Sequence, residues 1–268
     1  MENKKFMISF IIPAYNEETR IERRLLNLTK YFDSLLLEYE ILVITDGCTD
    51  KTPKIVLDFS KKQNPKVKLI TFSQRLGKGG AIIEGLKRAK GDIIVVTDAD
   101  ESVSPEELIK LIKELEENCV VIGSRYTYSS KLLKRESYLR YFLGRSFNAL
   151  VKLMFWELRK ISDTQCGAKV LRRDIVNKIL DDLFIVDFTF DVNIIYAAMK
   201  RGFKVKEVGI CYSHTEMGSK ISRNIPRIIL GMFFSLVKLK IYYSRFRPIL
   251  HAKSMQKISG FLWKITIA

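Results

Sequence analysis

The first half of the chain alternates between short, mainly apolar runs and longer amphipathic stretches. The apolar runs are residues 8–12, 40–44, 67–72 and 92–96. The stretches with helical periodicity are roughly residues 18–37, 52–62, 79–90 and 105–117. Runs that are apolar on both faces, each followed by a helix, are typical of a parallel sheet that is covered on both sides. The pattern therefore predicts an α/β fold with an open, doubly wound, mostly parallel sheet flanked by helices.

The pattern changes after about residue 125. Further helices are predicted over Tyr138–Leu158, over Phe188–Lys200 and from Arg227 onward. No internal repeat, and no linker rich in Gly, Ser or Pro, marks a clean boundary. We expect one α/β domain over residues 1–222, followed by a basic, apolar segment over residues 223–268.

Composition adds a strong charge bias. The 268 residues include 46 Lys and Arg against 30 Asp and Glu, which gives a net charge of +16. Such an excess indicates an anionic partner, which could be nucleic acid, an anionic membrane or a phosphorylated substrate. The cysteines form no C-x-x-C pair and the two histidines are isolated, which favours a reducing cytosolic setting without a zinc site or disulfides. No secretory signal peptide is apparent before the first predicted strand.

Polar clusters follow three of the predicted strands. They are residues 16–18, 46–50 and 98–100. In an open α/β sheet, ligands bind beyond the carboxyl ends of the strands. We therefore expect the three clusters to converge on one site.

Asp98-Ala99-Asp100 carries the sharpest chemical signal. Two carboxylates one residue apart, just past a buried strand, can share a divalent cation that also binds a diphosphate. The alternative for an isolated D-x-D is ordinary turn chemistry. The preceding strand and the neighbouring polar clusters favour the metal site.

The ends of the first two predicted strands offer groups for a nucleotide. Asp46 can accept hydrogen bonds from a base edge, and Tyr15 can pack beside a planar ring. The alternative is that Asn16 and Asp50 only cap the helices that follow.

Gly77-Lys78-Gly79-Gly80 opens a predicted helix. Its backbone N–H groups and the Lys78 ammonium could meet a phosphate, although the spacing is not that of a Walker loop. A plain loop-to-helix turn explains the glycines equally well.

Taken together, PAYNEE, DGxxDxT, GKGGA, DAD and GSR, in this order and spacing, resemble the family 2 inverting glycosyltransferases. The second half is similar to the enzymes of that family that charge a polyprenyl phosphate, the dolichyl-phosphate glucosyltransferases and mannose synthases. The resemblance covers roughly residues 7–222, and its carriers there are Gly123-Ser124-Arg125, Asp163-Thr164-Gln165-Cys166-Gly167, Phe190-Asp191-Val192 and Gly218-Ser219-Lys220-Ile221.

The resemblance implies a GT-A fold, a nucleotide-diphospho-sugar donor, a polyprenyl phosphate acceptor and Mg²⁺ or Mn²⁺. It places Asp98 and Asp100 on the metal, and the nucleotide-sugar pocket at Pro13, Tyr15, Glu17, Asp46, Gly77, Lys78 and Asp98. It implies catalytic roles for Asp98, Asp100, Asp191 and Arg125, and acceptor-phosphate contacts from Arg125, Arg140, Lys220 and Arg223.

Three details bear on which nucleotide-sugar is the donor. The D-T-Q-C-G run favours the glucosyl branch, and hence UDP-glucose. Ser102 stands where mannose synthases tend to carry a metal-binding Gln, which weakens the mannose alternative. Thr45 stands where many relatives carry an Asp, so the base contact differs from theirs.

A lipid phosphate also suits the basic residues. An alcohol acceptor needs a general base, whereas a phosphate monoester is already anionic near neutral pH, with a second pKa of about 6. It needs positioning and charge neutralisation, which Arg125, Arg140, Arg145, Lys220 and Arg223 could supply. A glycan acceptor stays open as an alternative, with Asp191 as the candidate base.

The C-terminal segment indicates where the reaction takes place. Residues 228–237 are nearly all apolar, but Lys238 and Lys240 end the run before the roughly 20 residues that a spanning helix needs. On a helical wheel Arg227, Lys238 and Arg245 share one face, whereas Lys240 and Arg247 fall on the apolar side. The pattern predicts an amphipathic helix in the headgroup region of a peripheral membrane protein, on the cytoplasmic face.

The preceding helix mixes basic and aromatic residues in the same way: Arg140, Phe142, Arg145, Phe147, Lys152, Phe155 and Trp156. The alternative is that both are ordinary core or oligomer-interface helices.

Two other classes compete with a glycosyltransferase. A sugar nucleotidyltransferase would open with a glycine-rich loop after the first strand, which Pro13–Glu17 does not provide. A nucleic-acid-binding protein would explain the charge, but the basic residues alternate with long apolar stretches and no recognised motif is present. We therefore expect no nucleic acid partner. The oligomeric state stays open.

Overall fold

The computed structural model describes residues 6–134, 138–213 and 225–251. Its centre is a seven-stranded sheet, and the four strands predicted from the apolar runs all belong to it. The strands of this sheet are β1 (Met7–Ala14), β2 (Glu38–Asp46), β3 (Val67–Phe72), β4 (Ile93–Val96), β5 (Cys119–Ser124), β7 (Lys169–Arg172) and β8 (Lys204–Gly209). A separate pair consists of β6 (Lys131–Lys134) and β9 (Cys211–Ser213).

The strand order in the large sheet is β3-β2-β1-β4-β7-β5-β8. All neighbours are parallel except β7, which runs antiparallel to both β4 and β5. The predicted mostly parallel sheet is thus confirmed. The order reverses between β1 and β4, since the chain goes from β1 to β2 on one side and returns to β4 on the other. Such a switch point leaves a crevice at the carboxyl ends of the two strands.

Eight α-helices connect and cover the strands in the described part of the chain. They are α1 (Ile21–Ser34), α2 (Thr52–Lys62), α3 (Gly77–Arg88), α4 (Pro105–Lys113), α5 (Tyr138–Met154), α6 (Arg173–Ile179), α7 (Phe190–Lys200) and α8 (Ile225–Tyr242). The start of α4 shows why the sequence places it there. Ser104 accepts a hydrogen bond from the Glu107 amide at 3.4 Å, and Pro105 occupies the first turn.

Two hydrophobic clusters fill the two sides of the sheet. One contains Ile11, Ile44 and Val96 together with α3, α5, α7 and α8. The other packs Phe10 and Val43 against α1, α2 and α4. Alternate residues of the same strands thus point into opposite layers, as a doubly covered sheet requires.

Helix α8 shares the first of these clusters. Its residues Met232, Leu236 and Leu239 are buried there, whereas Leu230 and Phe233 on the same helix are exposed. The predicted domain boundary at residue 222 lies outside the described residues. The helix beyond it packs on the same core as the sheet.

The predicted helical wheel of the C-terminal segment is wrong at its far end. Helix α8 ends at Tyr242, so Arg245 and Arg247 follow it. Lys238 lies 5.5 Å from the centroid of the Phe184 ring, and Lys240 donates to the Met154 carbonyl. These two ammonium groups face the protein because carbonyl and aromatic acceptors lie within their reach. Among the described residues no helix is both long and apolar enough to span a bilayer.

Candidate active site

The nucleotide end of the candidate site lies at the carboxyl ends of β1 and β2. Pro13 is the penultimate residue of β1 and lies opposite Ile44 of β2 in the parallel register. Tyr15 follows β1, and the guanidinium carbon of Arg75 stacks 3.3 Å from the centre of its ring. Arg75 also lies 3.3 Å from a carboxylate oxygen of Asp46, which ends β2. The two predicted nucleotide residues, Tyr15 and Asp46, are therefore joined through one arginine.

The polar residues that follow β1 and β2 mainly bind the two loops to each other. Asn16 has a positive φ of 53° and accepts a hydrogen bond from the Thr49 amide at 2.7 Å. The Glu17 amide donates to the Thr52 hydroxyl at 2.7 Å. Asp50 accepts from the Glu18 amide at 3.2 Å as well as from the Thr52 amide at 3.0 Å. The N-cap residues of α1 and α2 are Arg20 and Lys51, and neither helix has a side-chain cap, so these contacts of Asn16 and Asp50 brace the rim of the site.

Glu17 forms an ion pair with Arg20, one turn along, with an oxygen-to-nitrogen distance of 2.9 Å. The hydrogen bonds that Arg20 donates to the Glu17 carboxylate raise the pKa of Arg20, and the Asp100 and Asp98 carboxylates act in the same direction. Arg20 therefore places positive charge between the loop after β1 and the D-x-D loop.

The turn that opens α3 is held by protein acceptors. The Asp46 carboxylate accepts hydrogen bonds from the amides of Leu76 and Gly77, the latter at 3.1 Å. The Gly79 amide donates to the Val186 carbonyl at 2.8 Å. A Cβ at residue 79 would lie 2.3 Å from a carbonyl oxygen of the same loop, so only glycine fits there. These amides already donate hydrogen bonds to acceptors within the protein. We therefore assign the phosphate contact predicted for the turn to the Lys78 side chain, and it stays a prediction.

Lys78 links the partly exposed first aspartate of the D-x-D to the buried carboxylate of Asp191. Its ammonium lies 3.0 Å from Asp98 and 3.2 Å from Asp191. Lys169, which is fully buried on β7, contacts the other oxygen of Asp191 and the Cys166 carbonyl. Burial alone would lower the pKa of Lys78, but the carboxylates of Asp191 and Asp98 raise it above its ordinary value. The same ammonium outweighs burial at Asp98 and lowers the pKa of that carboxyl.

The D-x-D loop is closely packed on the D-T-Q-C-G segment. A Cβ at Gly167 would lie 2.1 Å from a carboxylate oxygen of Asp98, so the glycine leaves the space that this carboxylate fills. Asp100 accepts hydrogen bonds from the Ser102 amide, at 3.1 Å, and from the Ser102 hydroxyl, at 2.5 Å. Ser102 thus orients Asp100, a role that the sequence had not suggested for it.

The donor set suits a cation that arrives with a diphosphate. Asp98 and Asp100 offer carboxylate oxygens, which Mg²⁺ and Mn²⁺ accept. Within residues 6–134, 138–213 and 225–251, no cluster of three or more His, Cys, Asp or Glu side chains could hold a metal alone. Mg²⁺ in proteins is commonly bound by one or two carboxylates plus substrate phosphates and water. The two carboxylates therefore fit a metal ion whose coordination is completed by phosphate oxygens of the substrate and by water.

Two of the basic residues predicted to meet the acceptor phosphate, Arg125 and Arg145, lie with their side chains among the described residues. Arg125 is bound by Asp163, with Nε 2.7 Å and Nη2 3.0 Å from the two carboxylate oxygens. Burial would lower the pKa of Arg125, but the Asp163 charge raises it well above its ordinary value. The guanidinium of Arg145 on α5 lies 4.9 Å from the centre of the Tyr126 ring.

Arg140 belongs to α5, and its side chain lies outside the described residues, as do Lys220 and Arg223. Their phosphate contacts stay predictions.

Sequence reasoning missed two residues that organise the site. Arg75 lies in the stretch Ser73–Leu76, where no motif stands out, and only its contacts with Tyr15 and Asp46 reveal it. Lys169 is the first residue of β7, and the apolar Val170 and Leu171 follow it. A lysine on a central strand of a doubly covered sheet is the signal that could have found it, since a buried ammonium requires a carboxylate partner.

Comparisons with known proteins agree with this geometry. A sequence model of Glycosyl transferase family 2 matches residues 9–180. A dolichyl-phosphate beta-glucosyltransferase from Dictyostelium discoideum is 32% identical over 265 residues, which cover 90% of this chain and 80% of that protein. The protein of the same name from Saccharomyces cerevisiae is 30% identical over 259 residues, covering 89% of this chain and 76% of its own.

Solved structures show the same fold. Glucosyl-3-phosphoglycerate synthase from Mycobacterium tuberculosis, in complex with Mn²⁺, UDP-glucose and glycerol 3-phosphate, superposes with a TM-score of 0.63. The match covers 86% of this chain and 80% of that one at 17% sequence identity. A complex of the same enzyme with Mn²⁺, UDP and phosphoglyceric acid gives a TM-score of 0.64 at 18% identity. At this identity the likeness establishes the GT-A fold.

Proposed function

Since this chain belongs to glycosyl transferase family 2, we propose that it transfers glucose from UDP-glucose, with inversion, to a polyprenyl phosphate of the dolichyl type. The C1–O bond to the UDP diphosphate breaks, a C1–O bond to the acceptor phosphate forms on the opposite face, and UDP leaves. The names of the relatives support the sugar and the acceptor. The contact that carries the proposal is the Asp98–Lys78–Asp191 bridge beside the D-x-D.

The donor end of the crevice has the groups that a nucleotide-sugar requires. Tyr15, backed by the Arg75 guanidinium, offers an aromatic face to the base. The Lys78 ammonium, between two carboxylates, is a cation that can move onto a diphosphate. Asp98 and Asp100 would hold the divalent metal, which offsets the negative charge that develops on the leaving diphosphate. UDP-glucose and Mn²⁺ are ligands of the M. tuberculosis structure that shares this fold.

The surroundings of Asp191 favour an acceptor that needs no deprotonation. Lys169 occupies one of its carboxylate oxygens and Lys78 lies 3.2 Å from the other. A general base must present an oxygen to the acceptor hydroxyl at hydrogen-bond distance. Asp191 instead holds the two lysines, and its side chain is only 4% exposed. A phosphate acceptor already carries the charge of a nucleophile, whereas a glycan hydroxyl does not.

We also propose that the protein works at a membrane surface, on the cytoplasmic face. Helices α5 and α8 contact each other, and both expose large apolar side chains. Those on α5 and the following turn are Tyr138, Tyr141, Phe142, Leu153 and Trp156, and those on α8 are Ile229, Leu230, Phe233 and Phe234. Arg145, Lys152 and Arg227 add positive charge, which anionic headgroups attract.

A flotation experiment tests the membrane proposal. The full chain should float with vesicles that contain anionic lipid and should stay behind with neutral vesicles. The double variant Phe233→Ser/Trp156→Ser replaces two exposed apolar side chains and should reduce flotation. Its transfer of sugar to a short, water-soluble polyprenyl phosphate should be unchanged. If the double variant floats as well as the unchanged protein, α5 and α8 do not form the contact.

A product assay tests the transfer itself. Purified protein is incubated with Mn²⁺, a polyprenyl phosphate and either UDP-glucose or GDP-mannose, labelled in the sugar, and the lipid is then extracted. We expect label in the organic phase with UDP-glucose, released by mild acid as glucose. If only GDP-mannose gave labelled lipid, the transferred sugar would be mannose and not glucose. If the label appeared only in an insoluble glycan, the acceptor would be a glycan and not a lipid phosphate.

A further inference from the structure

Arg24 is a fully buried arginine on α1, beneath the D-x-D loop. Its Nη1 donates to the Val103 carbonyl and its Nη2 to the Thr97 hydroxyl, both at 2.8 Å. Both acceptors are neutral groups. No acceptor lies within hydrogen-bond distance of its Nε in the part of the chain that the structure describes.

Burying the charged Arg24 side chain in the core costs free energy. Transfer of a charged group from water into a protein interior is strongly unfavourable unless it is compensated. Burial lowers the pKa of Arg24 to about 10, so the group still carries its charge near neutral pH. The charges of Asp100, Asp98 and Glu101 act in the opposite direction and supply compensation. The acidic loop therefore stabilises the arginine.

The two hydrogen bonds of Arg24 reach the two ends of that loop. Thr97 directly precedes Asp98, and Val103 comes three residues after Asp100. One rigid guanidinium thus spans the segment that carries both metal-binding candidates. Because the planar group has fixed donor directions, it sets the separation of the loop ends more tightly than a flexible ammonium can.

The neighbouring residues of α1 hold the middle of the same loop. Arg23 forms an ion pair with Glu101 at 2.7 Å, and Asn27, one turn later, donates to the same carboxylate. Glu101 directly follows Asp100. Helix α1 therefore contacts the loop at its start, its centre and its end.

We propose that Arg24 is a positioning residue that holds the Asp98–Asp100 loop in the geometry needed to bind a divalent cation with a nucleoside diphosphate. This inference rests on the metal role of the two carboxylates. The positive charge of Arg24 by itself would weaken the binding of a cation, whereas the loop geometry that Arg24 holds strengthens it. The geometric effect prevails in this proposal, since outer-shell partners commonly contribute about 10- to 100-fold to metal affinity.

The test is Mn²⁺ binding, measured from the electron paramagnetic resonance signal of free Mn²⁺ in the presence of excess UDP. For Arg24→Met, which keeps an unbranched apolar stem but removes the guanidinium, we expect the Mn²⁺ Kd to rise about 10- to 100-fold. Saturating Mn²⁺ should restore most of kcat, so the loss appears in the KM for metal. Arg24→Lys keeps the charge but cannot reach both acceptors. Its Mn²⁺ Kd should lie between those of the unchanged protein and Arg24→Met. An unchanged or tighter Kd in Arg24→Met would overturn the proposal.

Three further measurements separate positioning from a loss of folding. Thr29→Val removes a buried hydroxyl of α1 whose hydrogen bonds, among the described residues, go to carbonyls of its own helix, and it should leave the Mn²⁺ Kd unchanged. Thr97→Val removes one acceptor of Arg24 and should weaken Mn²⁺ binding in the same direction, with non-additivity in the double variant. Amide hydrogen exchange across residues 97–103 should be faster in Arg24→Met without metal.

The outcomes also distinguish this inference from the proposed function. If the unchanged protein with UDP binds no Mn²⁺, the metal role of Asp98 and Asp100 fails. If it binds Mn²⁺ and both Arg24→Lys and Thr97→Val bind equally well, only the positioning role fails. The second result decides the matter even if Arg24→Met does not fold.

Discussion

Replacing Asp98 with asparagine is expected to lower sugar transfer about 1000-fold or more, while the protein stays folded. The loss corresponds to about 4 kcal/mol, in the range of the several kcal/mol that a bound metal contributes to charge stabilisation. Asparagine is nearly isosteric, but it lacks the charge that binds the cation and the Lys78 ammonium. The rate of labelled product formation in the organic phase measures the effect.

The same strand provides a matched control. Asp92 lies at the opposite end of β4 from Asp98, is exposed, and accepts a hydrogen bond from the Met7 amide at 3.1 Å. Asp92→Asn makes the same chemical change away from the crevice, so its rate should equal that of the unchanged protein. Normal turnover by Asp98→Asn, with circular dichroism unchanged, would remove this carboxylate from the reaction.

Replacing Lys78 with methionine is expected to lower kcat about 100- to 1000-fold, as is typical when one preorganised electrostatic contact is lost from an active site. The ammonium lies between Asp98 and Asp191, at 3.0 Å and 3.2 Å. Without it the two carboxylates lose their shared cation and the diphosphate loses a positive neighbour. Initial rates over a range of UDP-glucose concentrations separate kcat from KM.

Lys87 on the same helix is the control for Lys78. It is half-exposed and pairs with Glu84 at 2.8 Å on the helix surface. Lys87→Met should leave both kinetic constants unchanged. If Lys78→Met kept its kcat and lost only thermal stability, the bridge would hold the fold together without assisting transfer.

The strands could be predicted because their signal is local. Residues 8–12 and 40–44 are apolar on both faces, and the structure places them as β1 and β2 in the middle of the sheet. Polar residues that follow such strands must lie at their carboxyl ends, so convergence at the crevice follows from topology alone. The grouping of Tyr15 with Asp46 was predictable for that reason.

The contacts within the site could not be predicted, because they join residues far apart in the chain. The bridge from Lys78 to Asp191 spans 113 positions, and the bond from Arg24 to Val103 spans 79. Arg24 falls on the apolar stripe of α1 with Ile21 and Leu28, whereas Arg23 falls off it, but this spacing does not show what the buried guanidinium contacts. One is fully buried and the other mostly exposed, and the rotation of α1 on the sheet decides between them.

The C-terminal helix shows the limit of periodicity. An apolar run that ends in Lys238 and Lys240 fits both a membrane-surface helix and a core helix. In the structure Leu236 of α8 is fully buried in the core, whereas Leu230 is half-exposed. The helix ends at Tyr242, a boundary that the helical wheel did not predict.

Calorimetric titration of the protein with UDP-glucose, in Mn²⁺ and then in excess chelator, tests the central claim most directly. If Asp98 and Asp100 bind the diphosphate through a cation, affinity should be high with Mn²⁺ and should fall at least tenfold, about 1.4 kcal/mol, with the chelator. The Asp98→Asn/Asp100→Asn variant should bind equally weakly in both solutions. Equal affinity of the unchanged protein with and without metal would contradict the account.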